Sequence, residues 1–457
     1  MIYIILILAF VLRLITLNQS FWLDEAISAL TAQKPFLYQW TGITGDFQPP
    51  LFYLILHFFL KLGITSEWFL RIPSVVFGVL TVFVAFQFTH ELFDRKTALL
   101  ASILLATSQF HVYYSQELRM YSLLALLSLI SMWMFFKKKW IWFSLTNIFG
   151  LYTSYIYGLI FIPQLFWLLF DFLPRWKTRS SNRNVLKKWL ISLLISLIFF
   201  VPWLPNFWRQ WQTSRVLLND LPRWSALSSL PFWLLLPQLF LKFTLGRINF
   251  DNKFFYGGIF IILLILYAYI LSHIIKTINK KVSFIINWFL SPAVTAVLIS
   301  FFIPIAGVWR LIFLLPPFLI LLSTALLRMK YSTLFIVMIL TINLIANLLY
   351  WKKPEYQREN WKEAVSYIEQ DERPIVFVVE NGFAPYQWYK KREKLICGPK
   401  TIDNCLKTGS IYYVAYLQAL FDSKNKVETK ILSNKFQLQD THDFPGVGFI
   451  KIYENRH

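Results

Sequence analysis

The sequence predicts an all-α polytopic membrane protein of about eleven transmembrane helices, with interfacial helices in its first outer loop and a small α/β domain at the C-terminal end. Three observations carry that expectation. The 457 residues are 57% hydrophobic and 15% charged, whereas soluble domains carry ~25% charged residues. Long apolar runs recur to about residue 350, and a backbone in lipid must satisfy its own hydrogen bonds, which helices do. The net charge of +21 is uneven: residues 1–351 hold 28 Lys+Arg against 10 Asp+Glu, while residues 352–457 hold 17 against 14. A basic excess confined to the loops between apolar runs points to membrane topology and anionic lipid, not to nucleic acid.

Residues 1–17 lack a basic start and a small-residue cleavage site, so they read as a retained first span. Further spans are expected at about 67–91, 97–112, 119–136, 140–153, 155–172, 189–205, 255–275, 283–303, 310–327 and 331–350. Basic clusters punctuate them: Arg95-Lys96, Lys137 to Lys139, Arg175 to Lys188, Lys276 with Lys280-Lys281, and Arg328 with Lys330. Cytoplasmic placement of these clusters fixes the orientation. The N-terminus is then cytoplasmic and the C-terminal domain lies outside the cytoplasmic membrane. Two apolar stretches must not cross. Pro49 to Leu62 is too short, and 229–245 carries Pro231, Pro237 and Lys242; both read as re-entrant or interfacial. With this threading Asp24, Glu25, Asp46, Glu67, Glu117, Asp220 and Asp251 lie on the outer side, and Glu91, Asp94 and Asp171 inside. Carboxylate chemistry belongs to the outer face.

The texture changes at about residue 352, which divides a membrane domain (1–351) from an extracytoplasmic one (352–457). Arg358 to Asp371 has amphipathic helical spacing, and Ile375–Val379, Ile411–Ala415 and Val447–Ile452 read as short strands. The only cysteines, Cys397 and Cys405, are too few for a disulfide framework or a four-ligand zinc site. They are near enough to pair in an oxidising compartment, but nothing in their spacing requires it. No internal repeat or low-complexity tract is present.

Asp24 and Glu25 follow Trp22 just past the first span. A carboxylate desolvated on one side by a bilayer has a raised pKa and is a better base; alternatively Asp24 caps an interfacial helix and faces water. Glu117 and Arg119 flank the start of a later span, where an arginine makes forked hydrogen bonds to a lipid phosphate or simply snorkels. Arg13 lies inside the first span, and an intramembrane charge is a functional candidate by default; snorkelling is again the alternative. Arg310, after Trp309, is either a second phosphate contact or an interfacial anchor. The six histidines have no metal-ligand spacing, and neither a glycine-rich phosphate loop nor a DxD motif occurs. The donor therefore need not be a nucleotide.

Four motifs in order carry a resemblance: Phe21-Trp22-Leu23-Asp24-Glu25-Ala26, Gln48-Pro49-Pro50-Leu51-Phe52-Tyr53, Leu70-Arg71-Ile72-Pro73-Ser74, and Tyr113 through Tyr121. Together they resemble the bacterial branch of the dolichyl-phosphate-mannose–protein mannosyltransferase superfamily, GT-C glycosyltransferases of glycosyltransferase family 39 type. Tyr152 to Tyr155, Trp309-Arg310-Leu311 and Asn360 to Ala364 resemble later landmarks. The likeness is strongest over residues 13–125 and weak after 370. It implies transfer of a sugar (mannose or a similar hexose or pentose) from a polyprenyl-phosphate donor to a hydroxyl acceptor on protein, lipid or glycan, with inversion, in the cell envelope.

By the resemblance Asp24 is the general base, Glu25 orients acceptor or sugar, and Glu117 matches a second-loop acid. Arg119 matches the residue that binds the lipid-linked phosphate. Arg13, Arg310 and Tyr121 are grouped with it as donor-phosphate or lipid contacts, and Trp22, Gln48, Gln116 and Tyr155 as acceptor or sugar contacts. Ser154 stands where relatives often carry histidine. The superfamily divides on metal dependence, which leaves a divalent cation (Mg or Mn) open. The expected partners are the lipid-linked sugar, the acceptor and membrane lipids. The competing reading is a transporter or flippase of a lipid-linked substrate, which predicts ionisable groups at the bilayer midplane and an internal repeat. The C-terminal domain either docks an acceptor and caps the site or is a structural appendage.

Overall fold

The computed structural model describes residues 1–36, 38, 46–172, 179–220, 229–275, 278–303 and 307–455. Part of the basic stretch Arg175 to Lys188, Lys276, and the side chains of Asp171 and Asp220 lie outside the described residues. Helices occupy every segment expected to span: Ile2–Leu14, Glu67–Leu92, Arg95–Thr107, Tyr121–Phe136, Trp140–Leu151, Phe161–Phe172, Arg179–Phe200, Lys253–Ile275, Lys280–Ser300, Leu315–Leu326 and Ser332–Lys352. Among the described residues six helical stretches are long and apolar enough to cross a membrane. Others fall short of the ~20 residues a bilayer needs; Ile2–Leu14 has 13 and Trp140–Leu151 has 12. Several helices stop early because polar sequence interrupts them at one end of the bundle. The Arg95–Thr107 helix, for example, gives way at Ser108 to the seven-residue Gln109–Ser115 helix. The two stretches expected not to cross form helices of 10 and 14 residues, Leu51–Leu60 and Phe232–Leu245.

The Glu67–Leu92 helix is the spine of the bundle and packs against the Ile2–Leu14, Arg95–Thr107 and Tyr121–Phe136 helices. Gly78 permits the closest approach on it. A Cβ there would lie 2.2 Å from Ser115 Oγ and 3.0 Å from Arg13 Nε, so no side chain fits. This contact seats the Gln109–Ser115 helix and the polar loop that follows it.

The C-terminal unit opens with the Trp361–Ile368 helix, shorter than the periodicity suggests. Its sheet contains β1 (Ile375–Phe377), β2 (Ile396–Cys397), β3 (Ser410–Val414), β4 (Phe436–Phe444) and β5 (Gly448–Asn455), in the order β2-β1-β3-β5-β4. β1 pairs in parallel with β2 and β3, whereas β5 runs antiparallel to β3 and β4. Its apolar cluster, built around Trp361, Phe377, Tyr412 and Ile450, is separate from that of the bundle. Cys397 and Cys405 form a disulfide that ties β2 to the Ile402–Leu406 helix. The Cys397→Ser/Cys405→Ser double variant is expected to lose about 2–4 kcal/mol of stability in this unit, seen as an earlier thermal transition that reducing agent produces in the wild type but not in the variant.

Candidate active site

The site is built on the Leu23–Gln33 helix. Trp22 precedes it in an extended conformation, and Asp24 and Glu25 fill its first turn, where the helix dipole favours carboxylates. Successive helical residues point ~100° apart, so the two acids enter different surroundings. Glu25 turns inward and is fully buried. Arg71 donates to its two oxygens from Nε at 2.9 Å and Nη2 at 2.5 Å, Arg358 donates from Nε at 3.2 Å, and the Leu118 N–H donates at 2.7 Å. Burial pushes Glu25 upward, but Arg358, Arg71 and these hydrogen bonds outweigh it and hold the carboxyl below its ordinary range. Arg71 also donates to the carbonyls of Leu17, Gln19 and Ser20, at 2.7, 2.6 and 3.2 Å. The expectation that Glu25 orients acceptor or sugar is corrected by this geometry, because both its oxygens are committed to internal partners.

Asp24 turns the other way and keeps its side chain 34% exposed. Its Oδ2 lies 3.9 Å from Arg119 Nη2. Arg119 is ion-paired with Asp46 and donates to Ser28 Oγ at 3.3 Å, and Tyr53 OH donates to Asp46 at 2.7 Å. Burial raises the pKa of Asp24, opposed by the Arg119 guanidinium and assisted by the Asp46 charge. Arg310 lies over the Trp309 ring at 5.8 Å, within electrostatic reach of Asp24, Arg119 and Asp46. Tyr121 is buried beneath Arg119, its ring 6.0 Å from the guanidinium. Two carboxylates and two guanidiniums thus meet at one rim of the bundle.

Glu117 is buried beside this cluster, its Oε2 without a partner among the described residues. Burial pushes it up to about 7, against the pull of the Arg358, Arg247 and Arg119 charges. Gln116 donates its amide N–H groups to the carbonyls of Arg13 and Ile15, at 3.0 and 2.5 Å, which fastens the end of the first helix. Arg13 also departs from expectation. It is fully buried and reaches the carbonyls of Ala9 and Ala106 at 2.7 and 3.2 Å and His111 Nδ1 at 2.6 Å. Helix packing has enclosed it, so it presents no donor to a lipid phosphate.

Gln48 accepts from Ser154 Oγ at 3.0 Å, so this serine anchors the loop. Tyr155 donates to Gln210 at 2.5 Å, and Gln210 donates to the carbonyls of Asp46 and Gln48 at 3.1 and 3.3 Å. Gln48 and Tyr155 therefore support the loop that carries Asp46. Trp22 is half-buried at the start of the Asp24 helix, its indole N–H without a partner among the described residues.

The C-terminal unit grips the segment that carries Asp24. The Arg358 N–H donates to Gln19 Oε1 at 3.1 Å, the Lys362 N–H to Ser20 Oγ at 3.2 Å, and the Phe21 N–H to Tyr389 OH at 2.7 Å. Tyr389 donates in turn to Glu67 at 3.1 Å. Glu359 accepts from the Leu23 N–H, Trp361 and Tyr416, and burial pushes its carboxyl up to about 7.

Residues 47–206 match the family model described as dolichyl-phosphate-mannose-protein mannosyltransferase. The solved structure of ArnT from Cupriavidus metallidurans bound to undecaprenyl phosphate superimposes with a TM-score of 0.61 at 10% identity, over 99% of this chain and 97% of that one. The apo form of ArnT gives 0.60 with the same identity and coverage. The Archaeoglobus fulgidus oligosaccharyltransferase in complex with Zn and sulfate gives 0.56 at 11% identity, over 99% of this chain and 73% of that one. The chain has the GT-C glycosyltransferase fold, and its matched segment carries the mannosyltransferase signature. No curated protein sequence matches the chain.

Among the described residues no three His, Cys, Asp or Glu side chains converge as metal ligands, and Asp24 and Asp46 both face a guanidinium. Asp46, Tyr53, Arg71 and Arg358 join this cluster, although the sequence alone assigns none of them a role in it. The acidic first loop pointed to Asp46; Arg358 had no local signal.

Arg358→Ala leaves Glu25 paired with Arg71 alone and is expected to cost about 1.5–3 kcal/mol, the worth of a hydrogen bond to a charged group, measured as loss of thermal stability in detergent. Glu117 and Glu359 hold a proton in the folded chain where the unfolded chain has released it. Their contribution to stability therefore falls as pH rises from about 4.5 to about 7. In Glu117→Gln the melting temperature should decline less over that interval than in the wild type.

Proposed function

We propose that the chain is an inverting glycosyltransferase that moves a sugar, mannose or a similar hexose or pentose, from a polyprenyl-phosphate donor to an acceptor hydroxyl at the outer face of the cytoplasmic membrane. The observation that carries the reading is the meeting of Asp24 with Arg119 at 3.9 Å beside Asp46 and Arg310. The undecaprenyl phosphate bound to ArnT supports a polyprenyl-phosphate donor for the shared fold. The leaving group is a phosphate that departs charged, so it needs cations rather than an acid. Arg119 and Arg310 are placed to supply them.

The acceptor oxygen attacks the anomeric carbon from the side opposite the phosphate. Its proton passes to Asp24, the new C–O bond forms, and the bond to the phosphate oxygen breaks, releasing polyprenyl phosphate. Burial fits Asp24 for the base role by raising its pKa. Arg119 holds Asp24 and Asp46 in register. Glu25 is a positioning residue that locks the Asp24 helix.

The orientation rests on the two ends of the bundle. The rim with Asp24 also carries the disulfide-bonded C-terminal unit, which suits an oxidising exterior. The opposite end carries Lys137, Lys138, Lys280 and Lys281, which suits the cytoplasmic side. Residues 1–351 then form the catalytic membrane domain and 352–457 an extracytoplasmic domain that completes it.

The test is purified full-length chain supplied with a panel of polyprenyl-phosphate sugars. Asp24→Asn is expected to lose ~10²–10⁴ in sugar release or transfer while keeping its melting temperature and donor binding. Equal turnover in both proteins removes Asp24 as base. Translocation of the lipid without sugar release overturns the transferase.

A further inference from the structure

Asp46 sits on the same guanidinium that the proposed reaction uses for the donor phosphate. Arg119 Nη1 donates to Asp46 Oδ2 and to Ser28 Oγ, the latter at 3.3 Å. Nη2 donates to Asp46 Oδ1 at 3.4 Å and lies 3.9 Å from Asp24 Oδ2. Each terminal nitrogen carries two hydrogens, and each has two oxygens before it. The remaining nitrogen, Nε, is enclosed without a partner among the described residues. A guanidinium grips a carboxylate and a phosphate with the same fork of N–H groups, so Asp46 and a phosphate are alternative occupants of Arg119. A phosphate added beside both carboxylates would also meet their like charge.

Of the two carboxylates, Asp46 is the one that can leave. Its backbone is held apart from its carboxylate: Gln210 donates to the carbonyls of Asp46 and Gln48 at 3.1 and 3.3 Å, and Ser154 donates to Gln48 Oε1 at 3.0 Å. The carboxylate itself has partners other than Arg119, since it accepts from Tyr53 OH at 2.7 Å and from the Phe47 N–H at 2.8 Å. A turn of the Asp46 side chain therefore frees the fork without moving the loop and without stripping the charge of hydrogen bonds. Asp24 keeps its place, because Glu25 locks the helix that carries it. We propose that Asp46 competes with the lipid-linked phosphate for Arg119. Donor binding exchanges the Asp46 carboxylate for the phosphate on the guanidinium fork, and the return of Asp46 expels polyprenyl phosphate after transfer. The inference rests on the reading of Arg119 as a phosphate ligand, and it makes Asp46 the residue that sets how tightly the site holds that phosphate.

The probe is undecaprenyl phosphate titrated into purified full-length chain in detergent, with bound lipid counted by native mass spectrometry. Asp46→Asn should bind it about ten-fold more tightly than the wild type, the worth of one charge-assisted hydrogen bond no longer contested. A merely structural Asp46 would give the opposite sign. Tyr53→Phe, which removes a partner of the released carboxylate, should bind the lipid more weakly. Arg119→Ala should lose binding, and the Asp46→Asn/Arg119→Ala double variant should show no gain over Arg119→Ala. Equal or weaker binding by folded Asp46→Asn, or a gain that persists in the double variant, overturns the exchange while leaving Arg119 as the phosphate ligand. Should Asp46→Asn fail to fold, Tyr53→Phe decides, and unchanged or tighter binding there overturns the exchange. Undiminished binding by Arg119→Ala overturns the reading of Arg119 itself and the exchange with it.

Discussion

Everything at the rim depends on a carboxylate that never meets solvent. Glu25 is buried between Arg71 and Arg358, and a buried charge persists only when its partners and hydrogen bonds compensate for lost hydration. That requirement ties together three parts of the chain: the first-loop helix, the start of the long Glu67–Leu92 helix, and the linker into the C-terminal unit. None can shift without exposing or orphaning a charge. An apolar contact would hold the same elements together, but it would tolerate sliding. Directional ion pairs fix the rotation of the Leu23–Gln33 helix, and that rotation aims Asp24.

With the helix locked, the neighbouring acid has one direction left to it. Asp24 faces Arg119, which is itself held by Asp46 and Ser28. The division of labour between adjacent residues follows from helix geometry: one carboxylate is spent on architecture so that the next can stay partly exposed with a raised pKa. The C-terminal unit is part of the same device. Its contacts to Gln19, Ser20 and Phe21 clamp the segment that leads into the Asp24 helix.

Much of this was legible in the sequence, for reasons that can be stated. Apolar runs located the helices because lipid imposes one solution on the backbone. Asp24 and Arg119 stood out because charge at a membrane edge is costly. Their partners did not stand out. Glu25 reaches Arg71 across 46 residues and Arg358 across 333, and no local pattern encodes a contact that distant. Arg13 looked like a phosphate ligand because an intramembrane arginine reads the same whether it meets lipid or, as here, backbone carbonyls and a histidine. β4 escaped because it is an edge strand with polar side chains exposed along most of its length, so the alternation that marks a half-buried strand is absent.

The most direct measurement is an experimental structure of the full chain with polyprenyl phosphate bound. The account predicts the lipid phosphate in hydrogen-bond contact with Arg119 or Arg310, with Asp24 facing the space where the sugar and the acceptor oxygen would lie. A phosphate seated away from both arginines, or an Asp24 side chain turned out of that space, would contradict it.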